Sequence, residues 1–141
     1  MAPVKALLIS PDPRLRENLR VTLGALEREA GGPWRYLEAA DGLEGIRLAW
    51  RERPDVVVAD EIASRAGAFA VVKDLKGALE PFPGVVVVVL ARRHDEWLAR
   101  WSGADAWFVK PVDPFALADT VMSLLGRRAA ASAEESEGAT T

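Results

Sequence analysis

Two side chains of opposite charge stand at the ends of apolar runs: Asp60 closes PDVVVAD and Lys110 closes DAWFVK. A carboxylate and an ammonium that leave separate strand ends on one edge of a sheet make a pocket where the lysine can hold a small anion such as a phosphoryl group. The same pair also fits a plainer arrangement, with Asp60 capping the following turn and Lys110 in an ordinary surface ion pair. Other chemistries find less support. The chain has no cysteine, so disulfides, thiolate metal sites and a cysteine nucleophile are excluded. No Ser/His/acid set and no Gly-x-Ser-x-Gly elbow is present, which disfavours a hydrolase. His94 is the single histidine and reads as a solvated turn residue.

The elements that would carry Asp60 and Lys110 follow from hydrophobic periodicity. Val4 to Ile9 reads as a strand, followed by the turn Ser10-Pro11-Asp12-Pro13. Leu15, Leu19, Leu23, Leu26 and Ala30 then recur at helical spacing, with Asp12 as N-cap, Pro13 at the first helical position and Gly31-Gly32-Pro33 as the stop. A second strand is expected around Trp34 to Ala39, and a helix in which Leu43, Ile46 and Trp50 share a face. Val56 to Ala59 is continuously apolar, as a strand covered on both faces requires, and Asp60 stands at its carboxyl end. Phe69, Val72, Leu75 and Leu79 mark a third helix, and Val85 to Leu90 a central buried strand. A helix near Asp95 to Ser102, a strand at Trp107 to Val109 and a helix from Pro114 to Leu125 complete about five β/α cycles. This alternation implies an α/β fold with a doubly wound, five-stranded parallel sheet, right-handed crossovers and ligand chemistry at the carboxyl ends of the strands.

The 141 residues, 50% of them hydrophobic, suffice for one domain, expected over residues 1–126. Residues 127–141, RRAAASAEESEGATT, lack large apolar side chains and read as a disordered tail. With 18 Lys and Arg against 21 Asp and Glu the formal charge is −3, which favours neither a nucleic-acid backbone nor an anionic membrane as partner. No signal-peptide or stop-transfer pattern is visible, so the default location is cytoplasmic.

PDVVVAD ending at Asp60 and GADAWFVKPVDP around Lys110 together resemble the receiver domain of two-component response regulators, over Val4 to about Leu125. The second motif is the more specific: Gly103-Ala104-Asp105, an aromatic at Trp107, then Val109-Lys110-Pro111. The resemblance implies a flavodoxin-like (βα)5 fold and a non-enzymatic signalling role. It also implies a cis Lys110-Pro111 bond that aims the lysine. Asp60 would be the phosphoacceptor, taking its phosphoryl group from a phosphohistidine on a histidine kinase or phosphotransfer protein. Lys110 would neutralise the product.

Followed residue by residue, the resemblance also shows departures. Where the family has two adjacent acidic residues after the first strand, this chain has Ser10 and Pro11, with Asp12 one position late. That offset turns the side chain and favours a helix cap over a ligand for magnesium (Mg2+), whose binding would draw on Asp12, Asp60 and Glu61. The Thr or Ser expected after the fourth strand is replaced by Leu90, with Val88 and Ala91 as alternative occupants, and none has a hydroxyl. The switch aromatic is Trp107, bulkier than the usual Tyr or Phe. In the loop after Asp60, Glu61 adds charge that Arg65 can offset. These departures imply an atypical receiver with weak or no magnesium-dependent phosphorylation, acting through protein partners. The alternatives are a working phosphoacceptor at Asp60 and a flavodoxin-like nucleotide or flavin binder. Against the latter, Pro11 and Pro13 remove two backbone donors where a phosphate cradle would lie. Trp97 and Trp101 lie at i and i+4 of one helix. They belong either to the core or to an interface, including a homodimer through the face formed by the fourth helix, fifth strand and fifth helix.

Overall fold

The computed structural model describes residues 3–27, 32–61 and 67–139. The elements alternate strictly: β1 (Lys5–Ile9), α1 (Pro13–Gly24), β2 (Arg35–Ala39), α2 (Gly42–Glu52), β3 (Val56–Asp60), α3 (Ala68–Lys76), β4 (Val85–Leu90), α4 (Glu96–Ser102), β5 (Ala106–Val109) and α5 (Pro114–Ala139). A single 3-10 turn, Arg93–Asp95, leads into α4. All pairings are parallel and the sheet order is β2-β1-β3-β4-β5. The chain therefore steps outward from β1 to β2, then reverses to β3. The switch point lies between β1 and β3, where an open α/β sheet leaves its crevice.

Successive residues of a strand point to opposite faces, and this sheet buries both. Leu7, Ile9, Val57, Ala59, Val86, Val88 and Leu90 pack with Ala49, Val71, Leu75 and Ala99 on the face covered by α2, α3 and α4. Ala6, Leu8, Val56, Val58, Val87 and Val89 pack with Leu19, Leu23, Leu117 and Val121 on the face covered by α1 and α5. The continuous valine runs of β3 and β4 are thus explained by two cores rather than one. Ser10, Asp60 and Lys110 each stand two residues beyond a side chain of the second face: Leu8, Val58 and Phe108. Parity carries all three to the same side of the sheet edge.

Three boundaries differ from the sequence reading. Helix α1 ends at Gly24, seven residues before Gly31; Leu26 is still buried two residues later, while Ala30 and Gly31 lie outside the described residues. Helix α3 ends at Lys76, where the Gly77 N–H closes onto the Lys73 carbonyl, leaving Leu79 beyond the helix and fully exposed. The expectation of a disordered tail is corrected. Helix α5 continues through Arg127 to Ala139, a stretch whose alanine, glutamate and arginine are strong helix formers. Arg128 anchors the extension, with its guanidinium 2.7 Å from Asp55 Oδ1, while Asp55 Oδ2 accepts the Lys5 backbone N–H.

Helix α2 lies close on β1 because Gly45 has no side chain there. A Cβ at Gly45 would stand 2.3 Å from Ile9 Cδ1, inside the buried core next to Ser10. Gly45→Ala is therefore expected to destabilise the domain by about 1–3 kcal/mol in urea unfolding followed by circular dichroism.

Candidate functional site

Asp60 is the last residue of β3, the central strand, and is 0% exposed. Its carboxylate has donors on both oxygens. Ser10 Oγ donates to Oδ2 at 2.7 Å from the end of β1, and Lys110 Nζ lies 3.0 Å from Oδ1 at the end of β5. The Lys110-Pro111 peptide bond is cis. Lys110 is partly exposed, so the ion pair has one buried and one solvated end.

Ser10 is itself buried and held from several directions. Its N–H donates to the Ala39 carbonyl on β2, and its Oγ accepts the Asp12 N–H at 3.0 Å. That second bond closes a Ser turn, which suits a stretch where Pro11 supplies no N–H. The Arg16 guanidinium donates to the Ser10 carbonyl and lies 3.0 Å from Glu38. Asp12, by contrast, is exposed and caps α1, accepting the Arg14 N–H at 2.9 Å with Pro13 at the first helical position.

Glu61 follows Asp60 but turns away. Its N–H donates to the Val89 carbonyl, and its carboxylate accepts the Ala91 N–H. Burial pushes its carboxyl up from the ordinary range, and a hydrogen bond to Asp95 and the Asp95 charge add to that. The Ala91 N–H and the Arg92 charge oppose it. Arg65, the residue expected to offset Glu61, lies outside the described residues.

These donors do not fit magnesium. The ion requires several oxygen ligands in near-octahedral geometry. Here the oxygens of Asp60 already accept from a hydroxyl and an ammonium, Asp12 accepts a helix N–H, and Glu61 is tied to Asp95 and Ala91. Among the described residues no cluster of three or more His, Cys, Asp or Glu side chains is arranged to hold a metal ion.

Leu90, read as the residue in place of the phosphoryl-binding hydroxyl, has its side chain buried among Val86 and Val88 on the far face of the sheet. Its backbone carbonyl accepts the Lys110 N–H at 2.9 Å. The residue bordering Glu61 is Ala91, which offers no hydroxyl. Trp107 is half-buried and fixed to α4, with its Nε1 donating to Glu96 at 3.2 Å and Arg100 above its ring at 5.7 Å. Trp97 and Trp101 are 62% and 63% exposed, so the packing alternative fails. Their side of α4 is not the one that meets β5, which belongs to Glu96 and Arg100. Lys73 of α3 stands 3.7 Å from the centroid of the Trp101 ring, so the pair faces α3. His94 is exposed, 3.6 Å from Asp95.

Sequence reasoning saw Ser10 only as a lost acid and did not find its bond to Asp60. The signal was available, because Ser10 stands two residues beyond Leu8 as Asp60 stands two beyond Val58. Arg16 and Glu38, which hold the Ser10 turn, carried no sequence signal.

No family model matches the chain. It is 34% identical over 122 residues to a response regulatory protein of Mycobacterium tuberculosis, covering 86% of this chain and 91% of that protein. It is 31% identical over 100 residues to the polar-differentiation response regulator DivK of Brucella anthropi, covering 70% and 80%. A crystal structure of the signal receiver domain of a signal transduction histidine kinase from Syntrophus aciditrophicus matches with a TM-score of 0.73 at 25% identity, over 87% of this chain and 90% of that one.

Two outcomes are expected from this geometry. Lys110→Ala removes the ammonium 3.0 Å from the buried Asp60 carboxylate and lowers stability by up to about 3–5 kcal/mol, whereas Lys110→Ala with Asp60→Asn recovers most of that loss in the same denaturation assay. For Glu61 the folded-state pKa lies above the unfolded one, so its contribution is fully present below the unfolded pKa and is lost as pH rises through the folded pKa. Glu61→Gln should accordingly raise the urea midpoint at neutral pH, and the gain should vanish as pH falls below the ordinary glutamate range.

Proposed function

The chain belongs to the response regulator family of two-component signalling, as a receiver domain, and we propose that it signals by binding partner proteins, with little or no magnesium-dependent phosphorylation of Asp60. The observation that carries this reading is the occupancy of Asp60 from within the fold. Ser10 Oγ at 2.7 Å and Lys110 Nζ at 3.0 Å supply donors to both oxygens, while the nearest acid after β1, Asp12, is turned outward to cap α1. Phosphoryl transfer to a carboxylate depends on positioning and on neutralising the charge of the transferred group, and the metal ordinarily does much of the latter. Among the described residues, Lys110 brings one positive charge to that carboxylate. Pinning of Trp107 between Glu96 and Arg100 further weakens any route from Asp60 to the α4–β5 surface.

The partners on this reading are signalling proteins, among them histidine kinases and phosphotransfer proteins, rather than nucleic acid or membrane. Among the described residues no helix is long and apolar enough to cross a membrane. A second reading, with Asp60 as a working phosphoacceptor, is favoured by one observation: Lys110 stands where it would meet a phosphoryl oxygen on Asp60. Incubation of the full chain with acetyl phosphate and magnesium separates the two. The proposal expects at most a trace of acid-stable, hydroxylamine-labile label, no different from Asp60→Asn. Stoichiometric labelling that disappears in Asp60→Asn would establish the second reading instead.

A further inference from the structure

The face of α4 turned toward α3 combines exposed indoles with exposed cations. Trp97 and Trp101 are 62% and 63% exposed, one turn apart on the same side of the helix. Arg93, one turn earlier in the 3-10 segment, is exposed, and Lys73 from α3 covers the Trp101 ring at 3.7 Å. Neither cation has a carboxylate partner among the described residues. The acids close by in sequence are engaged elsewhere. Asp74 accepts the Trp50 Nε1 on the α2 side, Asp105 pairs with Lys76 at 3.2 Å, Glu96 accepts the Trp107 Nε1, and Asp95 is shared between Glu61 and His94. These four acids are therefore tied to other partners, and none of them is paired with Lys73 or Arg93.

We propose that Arg93, Trp97, Trp101 and Lys73 form a docking surface for an acidic segment of a partner protein, which sets an apolar side chain against the two indoles and its carboxylates against the two cations. The inference rests on the partner-binding role proposed above and names a surface for it, and it does not depend on the state of Asp60. Exposed tryptophan and arginine are the side chains that most often anchor an interface. Charge complementarity then selects the partner. A second copy of the same face is disfavoured because a two-fold contact is self-matching and would set Lys73 and Arg93 against their own kind. A membrane surface is disfavoured by the shortness of α4 and by the net charge of −3.

The test uses the full chain and two labelled amphipathic peptides of equal length, one built from Glu and Leu and the other from Lys and Leu, in fluorescence polarisation. The Glu–Leu peptide should bind the parent, and its affinity should fall roughly tenfold or more in Trp97→Ala with Trp101→Ala. Lys73→Glu with Arg93→Glu should lose the Glu–Leu peptide and gain the Lys–Leu one. The charge-reversed variant changes only exposed side chains, so the test stands even if the double alanine variant folds poorly. Absence of binding by the Glu–Leu peptide, or equal binding of both peptides, would overturn the proposal. So would tryptophan-dependent self-association in sedimentation, or tryptophan-dependent binding to phosphatidylglycerol vesicles, which would assign the face to a second copy or to a membrane.

Discussion

Asp60 carries a charge to a position out of contact with solvent, at the centre of the sheet, and the fold supplies that charge with a hydroxyl on one side and an ammonium on the other. An isolated carboxylate in such a place would be strongly unfavourable, and pairing together with hydrogen bonding is what makes it tolerable. The sheet order puts β1 next to β3, so Ser10 is one strand away from Asp60. Lys110 comes from two strands away and reaches across the end of β4. The turn after β1 is fixed by Ser10 accepting the Asp12 N–H, by Arg16 on the Ser10 carbonyl and by Glu38 on Arg16. Each of these contacts places the hydroxyl, and through it the carboxylate.

That arrangement changes what the pocket can do. In an acid-rich pocket, the carboxylates repel one another and a divalent ion relieves the repulsion. Among the described residues, Asp60 instead meets a neutral hydroxyl, that of Ser10, and the ammonium of Lys110. The carboxylate behaves as a structural tie among β1, β3 and β5.

Much of this was legible in the sequence, for identifiable reasons. The valine runs of β3 and β4 are too uniform for a half-exposed strand, and the two cores on opposite faces are what they require. Asp12 before Pro13 announces a helix start, and the structure uses it so. Other features were hidden because they depend on contacts between distant segments. The exchange of an acid for Ser10 looked like a loss, since its partner is 50 residues away. The i, i+4 spacing of Trp97 and Trp101 fixed their common side, but only the position of Lys73 on the adjacent helix shows which neighbour they face. Residues 127–139 lack the large apolar side chains that would predict an ordered segment, yet their alanine-rich sequence favours helix through local propensity.

The hold of Ser10 and Lys110 on Asp60 can be measured at the Asp60 carboxyl group itself. Selective carbon labelling of aspartate, with the Asp60 resonance assigned through Asp60→Asn, allows the carboxyl shift to be followed during a magnesium titration. An account in which Ser10 and Lys110 hold Asp60 predicts that this resonance stays in place through millimolar metal while exposed carboxyls such as Asp12 respond weakly or not at all. A saturable shift of the Asp60 carboxyl at those concentrations would contradict it.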